Sequence, residues 1–130
     1  MIETTVDNKF TVFSREIMKA DSPYESVGDI LDELKERIDL HPVAKFIDIF
    51  DHMSHTEDLP DGQIDPSIID AKIIIFCFGK IIKSPLTLAL RPRSIGVAEL
   101  NDRFVLSLYE APNERVHETI CTWVKEISAK

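Results

Sequence analysis

Asp51, His52 and His55 combine types and spacing that could do chemistry. Histidines three apart share a face on a helical turn but point to opposite faces of an extended strand. Zinc uses three protein ligands in catalytic sites and four in structural ones. Asp51 is adjacent, and Cys77 lies on a segment that can pair with the strand ending at Phe50. Asp51, His52, His55 and Cys77 are therefore a conceivable metal set, with His52 and His55 its weak core. The same residues permit a second chemistry, Asp51 and His52 working as an acid/base pair beside a cleft. The plainer expectation is that Asp51 caps the turn after a strand, His52 makes a backbone hydrogen bond and His55 faces solvent. No metal or cofactor is called for by these residues alone.

A second group is basic. Lys80 and Lys83 precede, and Arg91 and Arg93 follow, a short leucine-rich stretch, Leu86-Thr87-Leu88-Ala89-Leu90. Arginine suits planar carboxylate and phosphate groups, so Lys80, Arg91 and Arg93 are the candidate ligand-binding residues, forming an anion-recognising rim. The alternative is that they are solvated, or pair with the acidic first half of the molecule or its partner. Cys77 sits between Phe76 and Phe78, which points to an inert core thiol rather than a reactive one. There is no nucleophile elbow, phosphate-binding glycine loop or dinucleotide fingerprint.

The elements that would position these groups follow from patterning. Ala71–Gly79 is the longest nearly unbroken apolar run, and its β-branched and aromatic residues predict a central strand, Lys72–Phe78, buried on both faces. Phe10–Ile17 is a partly buried strand, preceded by residues 1–8 that read as polar and flexible. Ser22, Pro23 and Glu25 form a start signal for a helix whose stripe is Val27, Ile30, Leu31, Leu34 and Ile38, ended by Pro42. Val43–Phe50 is the next strand, and Asp65–Ile69 can hold a helical turn. Ser84-Pro85 starts a segment that Pro92 limits to about two turns, and its dense leucines predict a short helix or ordered loop packed over the end of the sheet rather than exposed. Ser94–Leu100 and Arg103–Glu110 form a hairpin around Asn101-Asp102, a turn expected to need positive φ. Val97 should face Leu106, with Ile95, Phe104 and Leu108 on the same side and Glu99 ill at ease among them. A closing helix from Pro112-Asn113 carries Val116, Ile120, Trp123, Val124 and Ile127, with His117 and Cys121 at the edge of that stripe. The chain is read as one α+β domain over residues 1–130, two helices covering one face of a mostly antiparallel sheet.

Bulk properties narrow the partners. A net charge of −8 disfavours nucleic acid. It is unevenly spread: residues 1–65 hold 16 acidic and 6 basic side chains, residues 66–130 hold 7 and 9. The acidic first helix is a solvated face or a docking surface, and the second half can attract an anion. Two distant cysteines make no disulfide framework. No leader pattern opens the chain and no run reaches the roughly 20 apolar residues of a span, so a cytoplasmic protein without membrane partners is expected.

At Asp51-His52, Phe78-Gly79, Ser84-Pro85-Leu86 and the hairpin Ile95–Tyr109, the chain resembles the domain of unknown function 302 family, over about Phe10 to Pro112. The resemblance implies a β-α-β(4)-α layout of the helix-grip (TBP-like) kind, with a short extra helix after the central strand, often dimeric and without an established role. Lys80 stands where that family tends to have asparagine, and Ile95-Gly96-Val97 replaces a leucine-proline start to the hairpin. A pocket shaped by that turn would gain a positive side chain here. The function expected is non-catalytic, binding a small amphipathic or anionic ligand or another protein, as a homodimer. The alternative is a metal-dependent or acid/base enzyme built on Asp51, His52 and His55.

Overall fold

The computed structural model describes residues 1–130. Its sheet has six strands, β1 (Ile2–Val6), β2 (Phe10–Met18), β3 (Lys45–Asp51), β4 (Asp70–Cys77), β5 (Arg93–Glu99) and β6 (Arg103–Tyr109). Their order in space is β1-β2-β6-β5-β4-β3, and every neighbouring pair is antiparallel. Three α-helices complete the chain, α1 (Val27–Leu40), α2 (His52–Glu57) and α3 (Glu114–Ser128), with a 3₁₀ segment over Pro85–Leu90. Strand, helix, four strands and helix thus appear in the expected order, consistent with a helix-grip-like arrangement. Three elements are additional, β1, α2 and a 3₁₀ turn over Lys19–Asp21.

One continuous core explains why α1 and α3 lie where they do. Val27, Ile30, Leu31, Leu34 and Ile38 of α1 and Ile120, Trp123, Val124 and Ile127 of α3 are all buried. They meet Ile74 and Phe76 of β4, Ile95 and Val97 of β5, and Phe104, Leu106 and Leu108 of β6 in a single cluster. The alternation in these strands matches a pleat with one covered face. Val97 faces Leu106 as expected. Glu99, the ill-fitting residue of that face, accepts a hydrogen bond from Lys19 Nζ at 2.7 Å. Tyr24 Oη donates to the Ile127 carbonyl at 3.1 Å, tying the chain before α1 to the end of α3.

The structure corrects several expectations. The apolar run of β4 lies next to an edge strand, not at the centre, and is buried on one face only. Ile74 and Phe76 are fully enclosed, whereas Ile73, Ile75 and Cys77 remain partly accessible. The start signal of α1 is shifted by one turn: Ser26 Oγ accepts from Asp29 N at 3.2 Å, and Asp29 Oδ2 accepts from Glu25 N at 2.9 Å. This is a reciprocal cap of the kind expected of Ser22 and Glu25. Residues 2–6, read as part of a flexible terminus, pair with β2 as an edge strand. Asp7 and Asn8 in their connection take positive φ, at 52° and 57°, a conformation that Asp and Asn tolerate better than most residues. Asn101-Asp102 needs no positive φ. Asp65–Ile69, by contrast, does hold a single turn, closed by Ile68 N donating to the Asp65 carbonyl.

Candidate functional site

The antiparallel pairing of β3 with β4 decides which candidate residues can meet. Asp51 lies opposite Lys72 and Lys45 opposite Cys77. Cys77 is therefore five residues along β4 from the Asp51 end, about 17 Å at strand rise. That separation breaks the proposed metal set. His52 and His55 do share a helical turn, their ring centroids 5.9 Å apart, and both pack at an angle against Phe50. No group of three His, Cys, Asp or Glu side chains converges on a possible metal position. Asp51 Oδ1 accepts from Ser54 N at 3.0 Å, and this backbone hydrogen bond holds its carboxyl below the usual carboxylate range. His52 Nδ1 is 3.0 Å from Thr56 Oγ1, so it pairs with a hydroxyl rather than with Asp51 or a backbone group. The capping role of Asp51 thus stands on the geometry; the acid/base pairing has no contact to carry it.

The other end of β4 opens differently. A cleft of about 360 Å³ lies between Cys77–Ile81, the basic segment 83–93 and the start of α3, within the size range of small-ligand pockets. Its walls carry Lys80, Lys83, Arg91 and Arg93, with Phe78, Ile81, Leu90, Ala111, Pro112 and Val116 supplying apolar surface. No Asp or Glu lines it. None of the four cations takes part in any ion pair of the chain. Pairing with the acidic first half of the same molecule is not seen: the paired acids of that half, Glu16, Glu33 and Asp39, meet Arg103, Arg37, Lys130 and Lys35.

Arg93 enters this cleft because β5 begins there. It lies opposite Phe76, on the covered face of the sheet. Its Nη2 donates to the Tyr109 carbonyl at 2.6 Å, while its buried Nε has no hydrogen-bond partner. Burial lowers its pKa, partly offset by Tyr109, from an ordinary value high enough that the guanidinium stays charged at neutral pH. Arg91 is placed by Gly79: a side chain there would come within 3.1 Å of Arg91 Nη1. The backbone N–H of Gly79 donates to Cys77 Sγ at 3.2 Å. Lys80, Arg91 and Arg93 are thus brought together, and Asp51 and His52 are at the opposite end.

Two arrangements were not legible beforehand. His41 Nδ1 accepts from both Val43 N and Ala44 N at 3.1 Å, and its ring packs on Phe78 and Trp123. His117 Nε2 lies 3.5 Å from Cys121 Sγ, which superficially resembles a nucleophile and its base. The four-residue spacing on one helix is the signal that could have revealed the pair. Ala111 N, however, donates to His117 Nδ1 at 3.3 Å. In a neutral ring that leaves the proton on Nε2, which therefore donates to sulfur rather than abstracting its proton. Burial also pushes the Cys121 thiol up, against thiolate chemistry.

The fold and cleft define an α+β domain with an antiparallel sheet, two covering helices and a cation-lined, half-apolar recess at one sheet end. The chain belongs to the family described as "Family of unknown function (DUF6858)", which matches residues 1–129. No curated protein matches it. A similar solved structure is that of the uncharacterized conserved protein DUF302 from Bacillus stearothermophilus, 16% identical, with a TM-score of 0.55 over 91% of this chain and 87% of that one. At that identity the domain of unknown function 302 likeness is one of fold.

The two thiols should separate in a labelling experiment. Cys121 is buried and Cys77 is half-exposed at the cleft wall. Native protein treated with a disulfide reagent should react at Cys77 alone, and Cys77→Ser should abolish the native reaction. Reaction of native Cys121 at its unfolded rate would contradict this assignment.

Proposed function

We propose that the protein is a non-catalytic binding module for a small amphipathic anion held in the cleft at the end of β4. The observation that carries this reading is the set of four unpaired cations around an acid-free, half-apolar recess in a chain of net charge −8. Charges facing one another without counter-charge repel, and a bound anion relieves that repulsion. Arg91 and Arg93 suit a planar carboxylate or phosphate group, and Phe78, Leu90 and Val116 suit an apolar remainder. Charged hydrogen bonds supply orientation and the apolar wall supplies area, the usual division in a small-molecule site. An enzyme using Asp51, His52 and His55 has less support, because those side chains make local contacts and do not line this cleft.

Calorimetric titration with octanoate and octylamine tests the reading, since the two share a chain and differ in charge. Octanoate should bind and octylamine should not. Arg91→Gln with Arg93→Gln should weaken octanoate about tenfold to a hundredfold, the range expected for losing charge-assisted hydrogen bonds. Equal binding of both compounds, or an unaffected double variant, would rule the reading out.

A homodimer is the second part of the proposal, and a separate observation favours it. No residue on the outer face of β2, β4, β5 or β6 is buried, and Val12, Ile73, Ile75, Ala98 and Val105 give it apolar surface, with Glu16, opposite Val105, paired to Arg103. The apolar run of β4 has the composition of a strand covered on both sides, and this chain covers one. A second copy placed sheet to sheet supplies the missing layer. Sedimentation equilibrium should give a dimer for the native chain and a folded monomer for Val105→Lys. A native monomer at high concentration would exclude it.

A further inference from the structure

Beside the cleft, residues 80–91 carry an exposed apolar surface. Ile81 and Ile82 are 57% and 65% exposed, and Leu86, Leu88 and Leu90 are 82%, 56% and 52% exposed. Residues two apart in a 3₁₀ turn lie about 240° apart, so the three leucines project on three different sides of the segment Pro85–Leu90. A groove in a partner protein covers one side of such a segment. A fluid apolar medium can take up Leu86 and Leu88 together while Leu90 stays at the cleft wall.

The charge pattern points the same way. Between Ala71 and Ala98 there is no Asp or Glu, while Lys72, Lys80, Lys83, Arg91 and Arg93 fall within that span. The apolar tip and the cationic cleft are continuous, because Ile81 and Leu90 belong to both. Basic side chains beside exposed aliphatic ones are the pattern by which peripheral segments bind anionic lipid, the cations meeting headgroups and the apolar residues entering the acyl boundary. No helix of the chain is long and apolar enough to cross a membrane, and a surface contact requires none.

We propose that the segment Lys80–Arg91 docks on an anionic bilayer surface, with a lipid headgroup in the cleft between Arg91 and Arg93 and with Ile82, Leu86 and Leu88 inserted beside it. The proposal rests on the anion-binding reading of the cleft and names the source of that anion. The acidic remainder of the chain would be held away from the bilayer, since attraction at the tip acts over about 10 Å at ordinary ionic strength.

Co-sedimentation with phosphatidylglycerol vesicles and with phosphatidylcholine vesicles tests it, using the native chain and the variant Ile82→Ser with Leu86→Ser and Leu88→Ser. These three side chains are exposed, so the variant should keep the native circular dichroism and thermal midpoint. The native chain should sediment with the anionic vesicles and not the neutral ones, and added salt should release it. The triple variant should bind the anionic vesicles at least about tenfold more weakly while binding octanoate unchanged. A native chain that ignores anionic vesicles overturns the proposal, and octanoate binding in the same preparation would then leave the cleft reading standing. Equal binding to neutral vesicles, or undiminished binding by the triple variant, also overturns it. So does a triple variant that loses dimerisation, which would make the segment an interface between copies. Binding of an amphipathic acidic peptide with vesicles ignored would assign the segment to a protein partner instead.

Discussion

The pleat of β4 is the constraint on which the rest of the structure depends. Because alternate residues point to opposite faces, Ile74 and Phe76 are committed to the helices while Ile73, Ile75 and Cys77 are left outside. Phe76 packs on Phe78 and Trp123, with ring centroids 6.0 and 5.7 Å away, and Phe78 stacks on Trp123 at 5.6 Å. That aromatic group fixes the far end of the strand against α3. It also aims the chain after Gly79 across the sheet end, where β5 returns with Arg93 opposite Phe76. The cleft is the gap this route encloses. The antiparallel register with β3 carries Asp51 to the other end of the same strand.

Electrostatics then distinguishes the two ends. Between α1 and α3 some acid and base are paired: Arg37 lies 3.4 Å from Glu126, and Lys130 lies 3.1 Å from Glu33. Exposed pairs of this kind contribute little to stability, but they neutralise one another. At the cleft nothing does so. Four cations line one recess without a counter-charge among its walls, and the proposed anion site rests on that asymmetry. The exposed leucines of the 3₁₀ segment carry a cost in the isolated chain that an occupant would remove.

Much of this was legible in the sequence because it is local. The stripes of α1 and α3 and the β5–β6 hairpin follow from spacing within one element, and the grouping of Lys80, Arg91 and Arg93 around a leucine-rich stretch follows from neighbourhood along the chain. What escaped depends on partners distant in sequence or on competition between adjacent signals. Ser22 and Ser26 lie one turn apart and both are residue types that cap helices, and it is Ser26 that accepts from Asp29 N. The apolar run of β4 reads as doubly buried because composition reports the preference of a strand, not whether the same chain supplies both covers. His52 and His55 share a turn, but whether Cys77 joins them depends on the direction of β3 against β4. His41 and His117 accept backbone N–H groups that no pattern of side chains announces.

The central claim is that the anion sits between Arg91 and Arg93. A crystal structure of the protein grown with octanoate tests it most directly. The account predicts the carboxylate within hydrogen-bond distance of both guanidinium groups, with the alkyl chain against Phe78 and Val116. Octanoate ordered elsewhere on the surface, with this cleft holding only water, would contradict it.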